Sequence, residues 1–274
     1  MIEISDYVIN DRIQLNKENR VNSSTTSKGN QIKWRLGNGI WVKADSRGYE
    51  GLAESAASYV LSKSNIHDYT HYAMHKVEED GVIYNGCVSK DFLDYGEVLV
   101  TVWNLLRMNG INVNKDTKGM STHELLVWTI EKVVGITRIV NFRMWLGKII
   151  EFDALVLNED RHFNNIAVIY NEYENKYRVM PVFDNGLSLL SDVIDYPMYR
   201  NISHNIRRVK SKPFSTNFDK QVKAVIDICG QNLSIDKSVL DFNTMDITVY
   251  DRKYIRRVED VIRRQLNRYD YIIR

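Results

Sequence analysis

The alternation of apolar and polar positions divides the chain into a strand-rich first third and a helix-rich remainder. Residues 22 to 30, NSSTTSKGN, are small and hydroxyl-rich, which predicts a loop. In QIKWRLGNGIWVKAD, aromatic and β-branched runs flank Gly37-Asn38-Gly39, a β-hairpin pattern. From residue 48 to 64 the period becomes helical, with Leu52, Ala56, Tyr59 and Val60 sharing one face. Strands return between residues 69 and 90, with turns expected at Asp80-Gly81 and Asn85-Gly86. From about residue 92 to 157 the period is helical again, in GEVLVTVWNLLRMNG, STHELLVWTIEKVVG and VNFRMWLGKIIEFDALVLN. NIAVIY and YRVMPVF, joined by a polar turn at residues 171 to 176, predict one further hairpin. Helices are expected around 216–230 and 251–268.

This order predicts an α+β fold in two lobes. A small β-rich lobe with one helix would occupy residues 1–90, and a larger, mainly helical lobe residues 91–274. A cleft between lobes is a common place for a small ligand.

Composition narrows the function classes. Of 274 residues, 44% are hydrophobic, which suits a globular chain with a sizeable core. A net charge of +2 makes no case for nucleic acid. The two cysteines, Cys87 and Cys229, are far apart and fit free thiols in a reducing compartment. The N-terminus carries acids rather than a basic, apolar leader, and no apolar run approaches the roughly 20 residues that span a bilayer. The expectation is a cytoplasmic protein, with secretion by a signal-independent route left open.

The chemistry concentrates around the predicted hairpin. Asp160 precedes its first strand, Asn165 opens that strand, and Asp184 in VFDNG closes the second. Two carboxylates and an amide would meet at one end of a ribbon. Such oxygen ligands suit Mg²⁺ that also holds phosphate oxygens. In phosphoryl transfer one Asp accepts the proton of the attacking hydroxyl, while an Asn and a second Asp serve the metal. The five-residue separation of Asp160 and Asn165 equals that of the protein-kinase catalytic loop. Gly186 is expected to give the metal loop backbone freedom.

DRHFNN resembles the D-R-H-x-x-N motif shared by HipA-like kinases and phosphatidylinositol 3/4-kinases, and VFDNG is similar to their D-x-G. Gly29 to Lys33, GNQIK, resembles the G-x-Q-x-K segment at the HipA phosphate loop. IWVKAD resembles the strand carrying the ATP-contacting lysine, and GLAES the start of the lobe helix. Order and spacing hold from about residue 22 to 190, and the fit is to short HipA-like proteins of the CtkA type. The resemblance implies a two-lobed protein-kinase-like fold with ATP and Mg²⁺ as cofactors. It makes Asp160 the base, with Arg161 and His162 shaping its loop, and Asn165 and Asp184 the metal ligands. Lys43 would hold the phosphates, oriented by Glu54. The backbone around Lys28, Gly29 and Gln31 would cover the phosphates. Cys87-Val88 would lie at the lobe connector and hydrogen-bond adenine. No Phe follows Asp184, so a D-F-G switch is not expected.

The implied activity is a Ser/Thr protein kinase, with autophosphorylation at Ser23 to Ser27 as a means of inhibition. Two alternatives stand beside it. One is a phosphatidylinositol-type lipid kinase. The other is an ATP-binding toxin or regulatory module acting through a helix-turn-helix antitoxin partner. The protein substrate is unidentified, and neither membrane nor nucleic acid is signalled. Several features have plainer readings. His67, His71 and His75 read as surface or packed histidines rather than a metal site. Gly37-Asn38-Gly39 reads as a turn, not a dinucleotide fingerprint. RRVKSK, residues 207–212, reads as a solvated face.

Overall fold

A computed structural model describes residue 4 and residues 7–21, 31–242 and 249–274. The first third folds into a six-stranded sheet in the order β1-β2-β5-β6-β4-β3. Its strands are β1 (Val8–Ile9), β2 (Arg12–Leu15), β3 (Lys33–Leu36), β4 (Ile40–Ala44), β5 (Tyr72–Glu79) and β6 (Val82–Lys90). All neighbours are antiparallel except β2 and β5. Helix α1 (Glu50–Ser62) packs against this sheet. The GNG turn forms as expected, with Asn38 and Gly39 both left-handed, at φ 58° and 67°.

Asn85-Gly86 is not a turn. It lies inside β6, where Gly86 faces Ala44 of β4. A β-carbon at Gly86 would sit 2.1 Å from the Lys43 carbonyl oxygen. The glycine therefore permits close approach of two backbones, a demand that looks like a turn signal in sequence.

The remainder holds β7 (Glu97–Thr101), α2 (Val102–Met108), α3 (Val113–Asp116), α4 (Thr122–Thr137) and α5 (Phe142–Val156). These are followed by β8 (Ala167–Asn171), β9 (Lys176–Val179), α6 (Ile202–Arg208), α7 (Phe218–Cys229) and α8 (Arg252–Arg268). The helical reading of residues 92 to 101 is corrected: EVLVT is strand β7, which pairs with β8 and widens the hairpin to a three-stranded sheet. EVLVT is β-branched and too short to show its period. Helix α4 opens with a capping box, Ser121 with Glu124.

The large apolar core joins α1 to α4, α5, α7, α8 and the β8-β9 hairpin, while a smaller one lies within the six-stranded sheet. Two backbone bonds stitch the parts together beside the cleft, Thr70 N to Val182 O at 2.9 Å and Val182 N to Asp68 O at 3.0 Å. They set the height at which the chain enters Phe183 and Asp184. No helix among the described residues is long and apolar enough to cross a membrane.

Candidate active site

Lys43 stands one residue before the end of β4, opposite Lys33 of β3, with its ammonium directed into the cleft. Its Nζ donates to Glu54 Oε1 at 2.5 Å and to Asp184 Oδ1 at 2.8 Å. The Tyr72 ring lies beneath it, 4.9 Å from Nζ to centroid. Glu54 is fully buried, and its other oxygen accepts the Asn185 amide at 2.8 Å. One carboxylate thus ties the lysine to the backbone of the DNG segment. Glu50 has a different task. Its carboxylate accepts the amides of Ser46, Arg47 and Gly48, closing the loop before α1.

Burial alone would raise the Asp184 carboxyl, but the Lys43 ammonium, followed by Lys33, outweighs it and holds the group well below the usual carboxylate range. Lys43 is lifted in turn: burial opposes its charge, and Asp184 and Glu54 more than restore it. Asp184 sits at φ 58°, the left-handed region where a non-glycine residue is strained. The expectation for Gly186 is corrected here. The left-handed residue is Asp184, while a β-carbon at Gly186 would meet only ordinary contacts, the nearest at 3.5 Å.

The loop around Asp160 is organised by a residue whose importance its sequence position understates. Arg161 is completely buried. Its Nε and Nη2 grip Asp153 of α5 at 3.0 and 3.1 Å. Nη2 also reaches Asn185 Oδ1 at 2.8 Å, and Nη1 donates to Asn165 O at 3.2 Å and Phe183 O at 3.0 Å. One guanidinium therefore clasps both sides of Asp184 and the backbone of Asn165. Asn158 completes the network, donating to Asp153 at 3.1 Å and accepting the Asp160 amide at 3.0 Å. Asp153, Asn158 and Asn185 were missed in sequence; the buried position of Asp153 on an apolar helix was the one available signal.

Asp160 and Asn165 are brought together as expected. Asn165 Nδ2 donates to the Asp160 backbone carbonyl at 2.9 Å and to its Oδ2 at 3.3 Å. His162 flanks them, with Nε2 3.7 Å from Asp160 Oδ1. One cation arrives from far away in sequence: Lys212 Nζ lies 3.0 Å from Asp160 Oδ1. RRVKSK is therefore not wholly a solvated face.

Between Lys43 and the lobe connector lies a cleft of about 290 Å³. Trp41, Phe92, Leu99 and Phe183 form its apolar walls, with Lys33, Lys43 and Asp184 at its polar end. Phe92 and Phe183 contact each other, ring centroids 5.0 Å apart. The assignment of Cys87 and Val88 to the connector is corrected. Both are fully buried inside β6, a central strand paired on both sides with β4 and β5. Their backbone groups are consumed by the sheet. The chain leaves β6 at Lys90, so the connector is residues 91 to 96.

Lys28, Gly29 and the Ser23–Ser27 hydroxyls lie outside the described residues. Gln31 is described, and its side chain approaches the DNG segment: a β-carbon at Gly186 would be 3.8 Å from Gln31 Oε1. Gln31 Nε2 is buried without a partner among the described residues. His67, His71 and His75 form no metal cluster, and no group of three His, Cys, Asp or Glu among the described residues could hold one. A Mg²⁺ that bridges phosphates needs less protein than that. Ionised Asp184 and the amide oxygen of Asn165, beside an orphaned Gln31 donor, fit Mg²⁺ with a nucleotide's phosphates.

No protein-family model matches the sequence, and no curated protein matches it. Solved structures do. The Helicobacter pylori proinflammatory kinase CtkA superposes with a TM-score of 0.60 at 15% identity, covering 87% of this chain and 90% of that one. HipA of Shewanella oneidensis MR-1, solved with HipB and operator DNA, gives a TM-score of 0.42 at 13% identity, covering 97% of this chain and 61% of that one. The chain has the two-lobed α+β fold of the kinase CtkA.

Proposed function

We propose that this chain is an ATP- and Mg²⁺-dependent phosphotransferase acting on a Ser or Thr hydroxyl of a protein. The observation that carries the reading is the Lys43–Glu54–Asp184 cluster, assembled at one end of an apolar cleft with Asp160 and Asn165 alongside. Adenine would lie against Phe92 and Phe183, beside the connector. Lys43 and Gln31 would hold phosphate oxygens. Asp184 and Asn165 would hold Mg²⁺, which when bound offsets phosphate charge. Asp160 would orient the acceptor hydroxyl and take its proton, with Arg161 and Asn158 fixing its loop. Protein as acceptor, and a small helix-turn-helix protein as partner, rest on the sequence resemblance.

The test is incubation with Mg²⁺ and γ-labelled ATP beside Asp160→Ala, with mass spectrometry to locate label. Label on protein from the wild type alone is expected, and residues 23 to 27 are the first place to look. Transfer to phosphoinositide vesicles but not to protein would reassign the acceptor. Absence of nucleotide binding would remove the reading altogether.

A further inference from the structure

The loop between α6 and α7 is built to deliver one lysine to the catalytic loop. Lys210 on the same loop is exposed. Lys212 turns inward, its side chain 37% exposed, to an Asp160 side chain that is 11% exposed. The backbone on both sides is fastened. Ser211 is almost fully buried, and its hydroxyl donates to Ser215 O at 2.7 Å. Gln221 of α7 accepts the amides of Phe214 and Ser215 at 3.0 and 3.2 Å. The Phe214 ring stands edge-on to Phe163, which belongs to the catalytic loop, at 6.0 Å between centroids. Two loops are thus packed as one unit, and the lysine follows from that packing.

The two oxygens of Asp160 have different neighbours. Oδ2 accepts from the Asn165 amide, and Oδ1 accepts from Lys212. Lys43 is held by Glu54 and Asp184 at the other end of the site, where it is assigned above to other phosphate oxygens. In the transfer the acceptor hydroxyl gives its proton to Asp160. A new O–P bond forms at the γ-phosphorus, the bond to the β,γ-bridging oxygen breaks, and ADP leaves with that electron pair. Charge is spread over the three equatorial oxygens while this happens. The reacting phosphorus must lie about 3–3.5 Å beyond the acceptor oxygen. That is within the sweep of a flexible ammonium already at the base, and a lysine works as a compact point charge that can shift between two anions.

We propose that Lys212 is the γ-phosphate lysine of this site: it holds Asp160 when no nucleotide is present and turns to the transferring phosphoryl group when ATP is bound. This rests on the phosphotransfer reading above. The test compares wild type, Lys212→Met, Lys212→Arg and Lys210→Met. Dissociation constants are measured for the Mg²⁺ complexes of ADP and of the non-hydrolysable ATP analogue AMPPNP, and kcat and KM for γ-labelled ATP. For Lys212→Met, the AMPPNP-to-ADP ratio of constants should rise about tenfold, the size of one charge-assisted hydrogen bond. Its kcat should fall, and its KM for ATP should rise in step with the AMPPNP constant. Lys212→Arg should recover part of both, and Lys210→Met should match wild type. An unchanged ratio and kcat would overturn the proposal. So would faster transfer by Lys212→Met, which would make the contact a block on the base, or equal weakening of both nucleotides by the Met and Arg variants, which would make it structural. Wild type that binds neither nucleotide would refute phosphotransfer itself, and the lysine's assignment with it.

Discussion

Two buried ionic networks meet at Asp184, and they are built on opposite principles. Around Arg161 everything is satisfied. Its five N–H groups reach Asp153, Asn165, Phe183 and Asn185, and no part of the guanidinium is exposed. Around Lys43 the cluster is open: the Asp184 side chain keeps 26% of its surface exposed and faces the cleft with its charge fixed. The closed network spends its hydrogen bonds on backbone position. The open one keeps an anion and a cation available to a ligand. Stability and access to a ligand are therefore carried by different residues a few ångströms apart, and substitutions should separate them.

The largest effect is expected on the closed side. Arg161→Ala leaves Asp153 as an unpaired buried carboxylate, a change that costs about 3–5 kcal/mol. Denaturant unfolding should show the midpoint fall accordingly. Arg161→Lys should recover little, because an ammonium cannot reproduce the planar fork. A mild loss would mean the hub is not closed.

On the open side, Glu54→Gln keeps a hydrogen-bonding group of the same shape but removes the charge that orients Lys43. ATP affinity should drop about tenfold, roughly 1.4 kcal/mol, read by calorimetry. The loss should be in binding more than in folding. The reverse ordering would erase the distinction between the networks.

Asp45 supplies a half-buried carboxylate that belongs to neither network. Burial, reinforced by Glu50, pushes its carboxyl up from 3.8 to about 8. The folded chain therefore holds a proton that the unfolded chain releases above pH 4. Stability is undiminished at low pH and is lost progressively as pH rises toward 8, then levels off. Asp45→Asn should gain little in Tm at pH 5 and most at pH 8 or above. A gain independent of pH would show that the carboxyl is paired.

The smallest effect belongs to a site remote from both networks. Ser121→Ala removes the α4 capping box and should cost about 1 kcal/mol with no change in nucleotide binding.

Much of the site could be read from order and spacing. Asp160 and Asn165 share one tight loop, and a two-stranded hairpin returns the chain to Asp184, so a short stretch encodes their proximity. Helix position alone does not choose between Glu54 and Glu50, since both sit near the start of α1. Only the direction of the helix against β4 aims Glu54 at Lys43 and leaves Glu50 to the preceding loop. The connector was misplaced because Asn85-Gly86 resembles a turn. A glycine demanded by crossing strands and a glycine demanded by a bend look alike in a single sequence.

What the sequence by itself determined is the two-lobed α+β order of elements and which side chains are candidates for the site. Periodicity and short-range geometry are local properties, and these features depend on little else. Tertiary structure decided which charges meet. Lys43 finds Asp184 across 141 residues, and Lys212 finds Asp160 across 52. Such contacts follow from how buried faces pack, and in a single sequence no periodic pattern records the partner across that distance.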